Sequence, residues 1–115
     1  MQPPDHFRAT ARKKLELPIL LRQQRRPWER EGRAVDMGLA GACVESPDSL
    51  EPGTDVVLEI RTPTLWDPLM LTGNVAWCHR ASPASPFRIG IRFAHRSSSA
   101  LLGLFELLGA HGFDL

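Results

Sequence analysis

Apolar side chains return at every second position in six separate stretches of this chain, and a period of two confines those stretches to strands packed through one face. Leu15, Leu17, Ile19 and Leu21 alternate with Glu16, Pro18, Leu20 and Arg22. Val35 and Met37 alternate with Ala34 and Asp36, and beyond two glycines Ala42 and Val44 alternate with Cys43 and Glu45. The same rhythm runs through Val56, Leu58 and Ile60, through Leu69, Leu71, Gly73, Val75 and Trp77, and through Phe87, Ile89, Ile91 and Phe93. The first-named set of each stretch is expected to face a core.

Turn formers separate the stretches. Residues 23–32 form a charged loop around Pro27-Trp28, residues 45–54 are dense in turn residues with Pro52-Gly53 the strongest, residues 62–68 hold two prolines and Trp66, and residues 81–86 alternate serine and proline with alanine. Pro18 has no N–H to give a ladder, so the first strand is expected at an edge or opening of its sheet. Gly73 inside the fifth suggests a bulge or sharp bend there. After the sixth strand the period changes to that of a helix. Serines at 97–99 offer an N-cap, Leu101, Leu104, Phe105 and Leu108 make a core-facing stripe that Leu102 and Leu107 widen, and Gly109 stands where a C-cap glycine would. The expectation is a mainly β fold, a six-stranded antiparallel barrel with one C-terminal helix closing an end.

At 115 residues with 43% hydrophobic content, one compact domain is expected. Its organisation reads as an N-terminal arm over residues 1–14, with too little periodic apolar content to fold alone, followed by the barrel and helix over residues 15–110. Net charge is +1, which argues for no class of partner, but its distribution is uneven. Basic residues outnumber acidic ones nine to four in residues 1–34 and are outnumbered nine to five thereafter. The N-terminal third is therefore the part suited to an anion. No run is long enough to span a membrane, and Met-Gln-Pro-Pro-Asp-His lacks the apolar segment of a signal peptide, so the expected location is cytoplasmic, with no membrane partner. Cys43 and Cys78 fall in strands as free thiols would in a reducing compartment. They lack the Cys-x-x-Cys or His-x-x-x-His spacing a zinc site needs, so no metal or cofactor is expected. His6, His79, His95 and His111 sit in loops or termini without a nucleophile at recognisable spacing, and no Gly-Lys-Ser/Thr phosphate loop exists, so no catalytic residue is assigned and the chain is not expected to be an enzyme.

The remaining candidate is a binding site. Residues 33–45 read as two strands around a corner that holds one carboxylate, Asp36, and two glycines, Gly38 and Gly41. Glycine lets a ligand approach the main chain and Asp36 offers only acceptors, a combination suited to a ligand with a polar N–H edge. Upstream, Arg8-Ala-Thr-Ala-Arg12 places two guanidinium groups four residues apart. Together with Asp36-Met-Gly-Leu-Ala-Gly41, this resembles the Arg-x-x-x-Arg and Asp/Asn-x-Ser-x-x-Gly motifs of the PilZ domain family, whose members bind the bacterial second messenger cyclic di-GMP. Leu50-Glu-Pro-Gly-Thr-Asp-Val-Val-Leu-Glu-Ile60, Gly73-Asn-Val-Ala-Trp77 and Arg88-Ile-Gly-Ile-Arg-Phe93 resemble the family's later strands, so that the likeness spans residues 7–108.

The resemblance implies a split-barrel fold and a bacterial cyclic di-GMP receptor in which Arg8, Arg12, Asp36, Gly38 and Gly41 hold the nucleotide. It further implies an arm that changes conformation on binding and a signal passed to a separate protein effector, with the chain a monomer or weak homodimer. One position departs from the motif: Gly38 stands where the family has serine, and a missing neutral hydrogen bond costs on the order of 0.5–1.5 kcal/mol, a several-fold loss of affinity. The alternative is a degenerate PilZ-like protein–protein adaptor with weak or no nucleotide binding, working through the helix or the loops around Trp28 and Trp66. A second Arg-x-x-x-Arg, Arg22-Gln-Gln-Arg-Arg26, leaves no strand between itself and the glycine corner and is set aside. Nucleic acid binding through Lys13, Lys14, Arg25, Arg26 and Arg30 is disfavoured, because Trp77, Phe87 and Phe93 are expected on the buried face rather than interleaved with the basic residues for stacking.

Overall fold

The computed structural model describes residues 12–61, 67–95 and 98–110. Six strands, β1 (Arg12–Gln23), β2 (Glu29–Gly38), β3 (Gly41–Ser46), β4 (Asp55–Ile60), β5 (Leu69–His79) and β6 (Phe87–Phe93), form a closed antiparallel barrel in the order β1-β2-β3-β6-β5-β4, and one helix, α1 (Ser98–Ala110), follows. The expected mainly β class, strand number and terminal helix are all present. β1 starts at Arg12, three residues before the alternation begins at Leu15, because pairing with Met37 and Asp36 extends it. Arg8 lies outside the described residues, as does Trp66.

The alternating residues meet inside the barrel. Leu17, Ile19 and Leu21 from β1, Val56, Leu58 and Ile60 from β4, Leu71 and Val75 from β5, and Ile89 and Ile91 from β6 are all buried. The closed barrel pairs β1 on both sides, so it is not the edge strand that Pro18 suggested; the proline is accommodated because β4 pairs with β1 only over Ile19 to Gln23 and leaves it just outside the doubly paired part. Trp28 packs against the core from the loop after β1, with the Arg30 guanidinium 5.1 Å above its ring.

Three departures from strict alternation matter. In β2 the buried side chains are those of Ala34 and Met37, where Val35 and Met37 are expected from the alternation. The register explains it: Ala34 opposes Val44 but Asp36 opposes Cys43, which makes Val35 the extra residue of a bulge, and β1 shifts register beside it between Lys14 and Leu17. In β5 the bulge falls between Val75 and Trp77, not at Gly73. The inserted residue turns Trp77 out of the barrel, against expectation, and lays its indole over Gly90, where an added Cβ would stand 2.1 Å from the ring nitrogen Nε1. Only glycine at 90 permits that approach.

The helix also presents a different face from the one expected. Leu104, Leu107 and Leu108 are buried, whereas Phe105 is 39% and Leu102 63% exposed. Gly109 lies within α1, which continues to Ala110, and Gly53 is the one glycine with positive φ among the described residues, so Gly109 is no left-handed C-cap. With leucine at five of the positions from 101 to 108, periodicity alone cannot choose the inward side.

Candidate functional site

β2 and β3 meet at a corner of two residues, Leu39 and Ala40, flanked by Gly38 and Gly41 at the strand ends. Both glycines are buried, and neither has positive φ, so the freedom expected of them is not used as a left-handed turn. Asp36 lies two residues before the corner. The Val35 bulge sets where its carboxylate is directed, and oxygen Oδ1 is screened from solvent. Across the barrel surface Asp36 opposes Cys43, Cys43 opposes Gly90, and Gly90 carries the Trp77 indole, so one row crosses β2, β3, β6 and β5.

The register brings the end of the arginine motif to this place. The Cα of Arg12 is the partner of Gly38, and that of Lys14 is the partner of Asp36. Four of the five candidate residues, Arg12, Asp36, Gly38 and Gly41, thus occupy one end of the β1-β2-β3 sheet, while Arg8 is outside the described residues. Two groups went unnoticed in the sequence. Arg92, exposed on β6, is the partner of Gly41, and it was legible as an outward position of an alternating strand. His95 follows β6 and bonds through Nε2 to the Leu39 carbonyl; no local signal announces a partner 56 residues away. Phe93 N–H donates to the Ala40 carbonyl at 2.8 Å, so the corner hangs from the exit of β6.

In the second Arg-x-x-x-Arg, Arg22 pairs with Glu29 at 3.1 Å and with buried Glu59 at 3.3 Å, so its guanidinium approaches no other anion without leaving a carboxylate, and Arg25, between the two motif positions, lies 3.6 Å from Asp55. Arg25 and Arg26 line an open cavity of about 480 Å³ with Gly53 and Thr54, beside the β3–β4 connection and away from the Gly38 corner. On β3 itself, Glu45 accepts from Arg33 at 2.5 Å and from Arg88 at 3.3 Å. The Arg33 hydrogen bond leads the causes that hold its carboxyl below the ordinary range, ahead of the opposing effect of burial and the added pull of the Arg33 and Arg88 charges. Among the described residues no helix is long and apolar enough to cross a membrane, and no three His, Cys, Asp or Glu side chains gather as a metal site would require.

Solved structures share this architecture. The PilZ domain of CeSA from a cellulose synthesizing bacterium superposes with a TM-score of 0.69 at 16% identity, covering 90% of this chain and 99% of that one. The PilZ domain of YcgR from Escherichia coli, solved with c-di-GMP, gives 0.69 at 13% identity over 88% of each chain. Bacillus subtilis MotI/DgrA, an inhibitor of motility, gives 0.68 at 13% identity, covering 97% of this chain and 52% of that one. At these identities the likeness is one of fold. No curated protein matches the sequence significantly. The family model described as PilZ domain, however, matches residues 6–108, nearly the whole barrel and helix together with the arginine motif, and the chain belongs to the PilZ domain family.

Proposed function

We propose that this chain is a bacterial, cytoplasmic receptor for cyclic di-GMP that binds the nucleotide through Arg8, Arg12, Asp36, Gly38 and Gly41 and passes the signal to a protein effector. The observation that carries the reading is the β1–β2 register, in which Arg12 meets Gly38 two residues from Asp36. Family membership supports it, and so does the YcgR PilZ domain of the same fold, solved with c-di-GMP.

The chemistry of the proposed site follows from its groups. Arginine forks onto phosphate oxygens or onto guanine O6 and N7 and stacks on a purine face. Asp36 accepts from guanine N1–H and N2–H on the opposite edge. The glycines allow the ligand to reach the main chain. Binding changes the conformation of the arm over residues 1–14 as its arginines engage, and the changed arm is what an effector reads. No bond is made or broken, so the chain is not an enzyme and needs no metal or cofactor; the protein acts as a monomer or weak homodimer.

Titration calorimetry with cyclic di-GMP tests this. The intact chain should release heat that Arg8→Ala or Arg12→Ala removes; no heat from the intact chain sinks the proposal. A second reading, a degenerate adaptor with weak or no nucleotide binding, is favoured by Gly38 in place of serine and by the exposed Leu102, Phe105 and Met70. It requires that the unaltered chain give little or no heat and that Gly38→Ser fail to strengthen it.

A further inference from the structure

The turn Gly38-Leu39-Ala40-Gly41 has no hydrogen-bonding side chain of its own. Asparagine, aspartate, serine or threonine would ordinarily fix such a turn by bonding back to the local main chain, and a positive φ would mark a tight turn type; this corner has neither. Its shape must come from elsewhere. Both central carbonyls are held by the segment that leaves β6: Ala40 O accepts from Phe93 N–H at 2.8 Å, and Leu39 O accepts from His95 Nε2.

That segment is itself anchored. Ala94 N–H donates to Thr72 O at 2.9 Å, and the Thr72 hydroxyl donates back to Ala94 O at 2.8 Å, which ties it to β5. The imidazole rests against the Phe93 ring, with centroids 5.7 Å apart and planes tilted by 58°, and Phe93 belongs to the core. The ring is thus aimed from below by packing and from beside by β5.

We infer that His95 is a positioning residue of the nucleotide corner, supplying from the far end of the chain the side-chain hydrogen bond that the corner lacks. This rests on the reading of the corner as the cyclic di-GMP site. A carbonyl only accepts, so Nε2 carries the hydrogen: a neutral His95 is the Nε2–H tautomer, and the imidazolium donates from the same atom. Without the link, a turn bounded by two glycines must be ordered by the ligand, and affinity falls by that cost.

The test pairs His95→Phe, which keeps a ring against Phe93 but loses the donor, with His95→Gln, whose amide can donate to the same carbonyl. Nitrogen-15 NMR of the unaltered protein without ligand should show the neutral ring protonated at Nε2. Amide exchange at Leu39, Ala40 and Gly41 should quicken in His95→Phe and recover in His95→Gln, and cyclic di-GMP affinity should fall about three- to tenfold in the first and return in the second. A neutral ring protonated at Nδ1, corner exchange unchanged in His95→Phe, or a loosened corner with unchanged affinity would each overturn the assignment. If the unaltered protein binds no cyclic di-GMP, the nucleotide reading fails and takes the role at that site with it, while the tautomer and exchange data still decide whether the latch exists.

Discussion

Two connections of β3 solve the same problem by different means. The one that follows it, from Ser46 to Asp55, is built of turn chemistry: Ser46 Oγ accepts from Asp48 N–H at 3.2 Å, Thr54 donates to Glu51 O through both its N–H and its hydroxyl, and Gly53 takes φ +93°. The one that precedes it, at Leu39 and Ala40, has no such groups and is fixed by β6 and His95. The following connection also receives bonds from β5, Gly53 N–H to Val75 O at 2.7 Å and Asn74 Nδ2 to Gly53 O at 2.8 Å, but it keeps local bonds of its own beside them. The preceding one, beside Arg12 and Asp36, depends on its outside bonds alone.

An arginine motif lies beside each connection, and the two should differ most in what their loss does to binding. Arg12→Ala should reduce cyclic di-GMP affinity by about a hundredfold or more, since a charge-assisted pair of contacts is lost, while Arg26→Ala should leave it within about twofold; equal losses measured by calorimetry would erase the distinction between the two ends. Gly53→Ala comes next. Nothing lies within 4 Å of an added Cβ there, so the expected loss of about 1–2 kcal/mol in denaturant unfolding is the cost of the backbone angle alone, with nucleotide affinity unchanged.

Between the connections, on β3 itself, Glu45 gives a pH-dependent term. Its folded pKa lies below the ordinary 4.5, so its pairing with Arg33 and Arg88 stabilises the fold fully above that value and is lost as pH falls through the depressed one. Glu45→Gln should cost up to about 1 kcal/mol at neutral pH, partner exposure being considerable, and the two proteins should converge in thermal unfolding as the solution is acidified well below pH 4.5. The smallest effect is expected at the externally held corner: with no positive φ to disturb, Gly38→Ser should leave stability nearly unchanged and tighten cyclic di-GMP binding several-fold.

Period-two alternation carried most of the fold, because a strand with one buried face writes that face into its sequence. It was silent where a single extra residue flips the face, at Val35 and at the bulge before Trp77, since a bulge is a property of the partner strand's register as much as of its own residues. It was silent again on α1, where leucines surround the helix and the inward side is chosen by the barrel end it covers. At the candidate site the two motifs were legible as residue types at a spacing, and the β1–β2 register then set Arg12 beside Gly38. His95 was invisible for the same reason the corner needs it: the bond joins a side chain to a main-chain carbonyl, and a carbonyl has no sequence.

The Trp77 indole on Gly90 has an optical consequence. Its ring nitrogen is screened from solvent and its row leads across Cys43 to Asp36, whereas Trp28, at the other end of β1, is partly buried beneath an exposed guanidinium. Indole emission shifts with the polarity around the ring, so the barrel carries two reporters in different surroundings. In a Trp66→Phe background, a ligand seated at the corner should shift the Trp77 contribution, identified by its loss in Trp77→Phe, and leave that of Trp28 where it was.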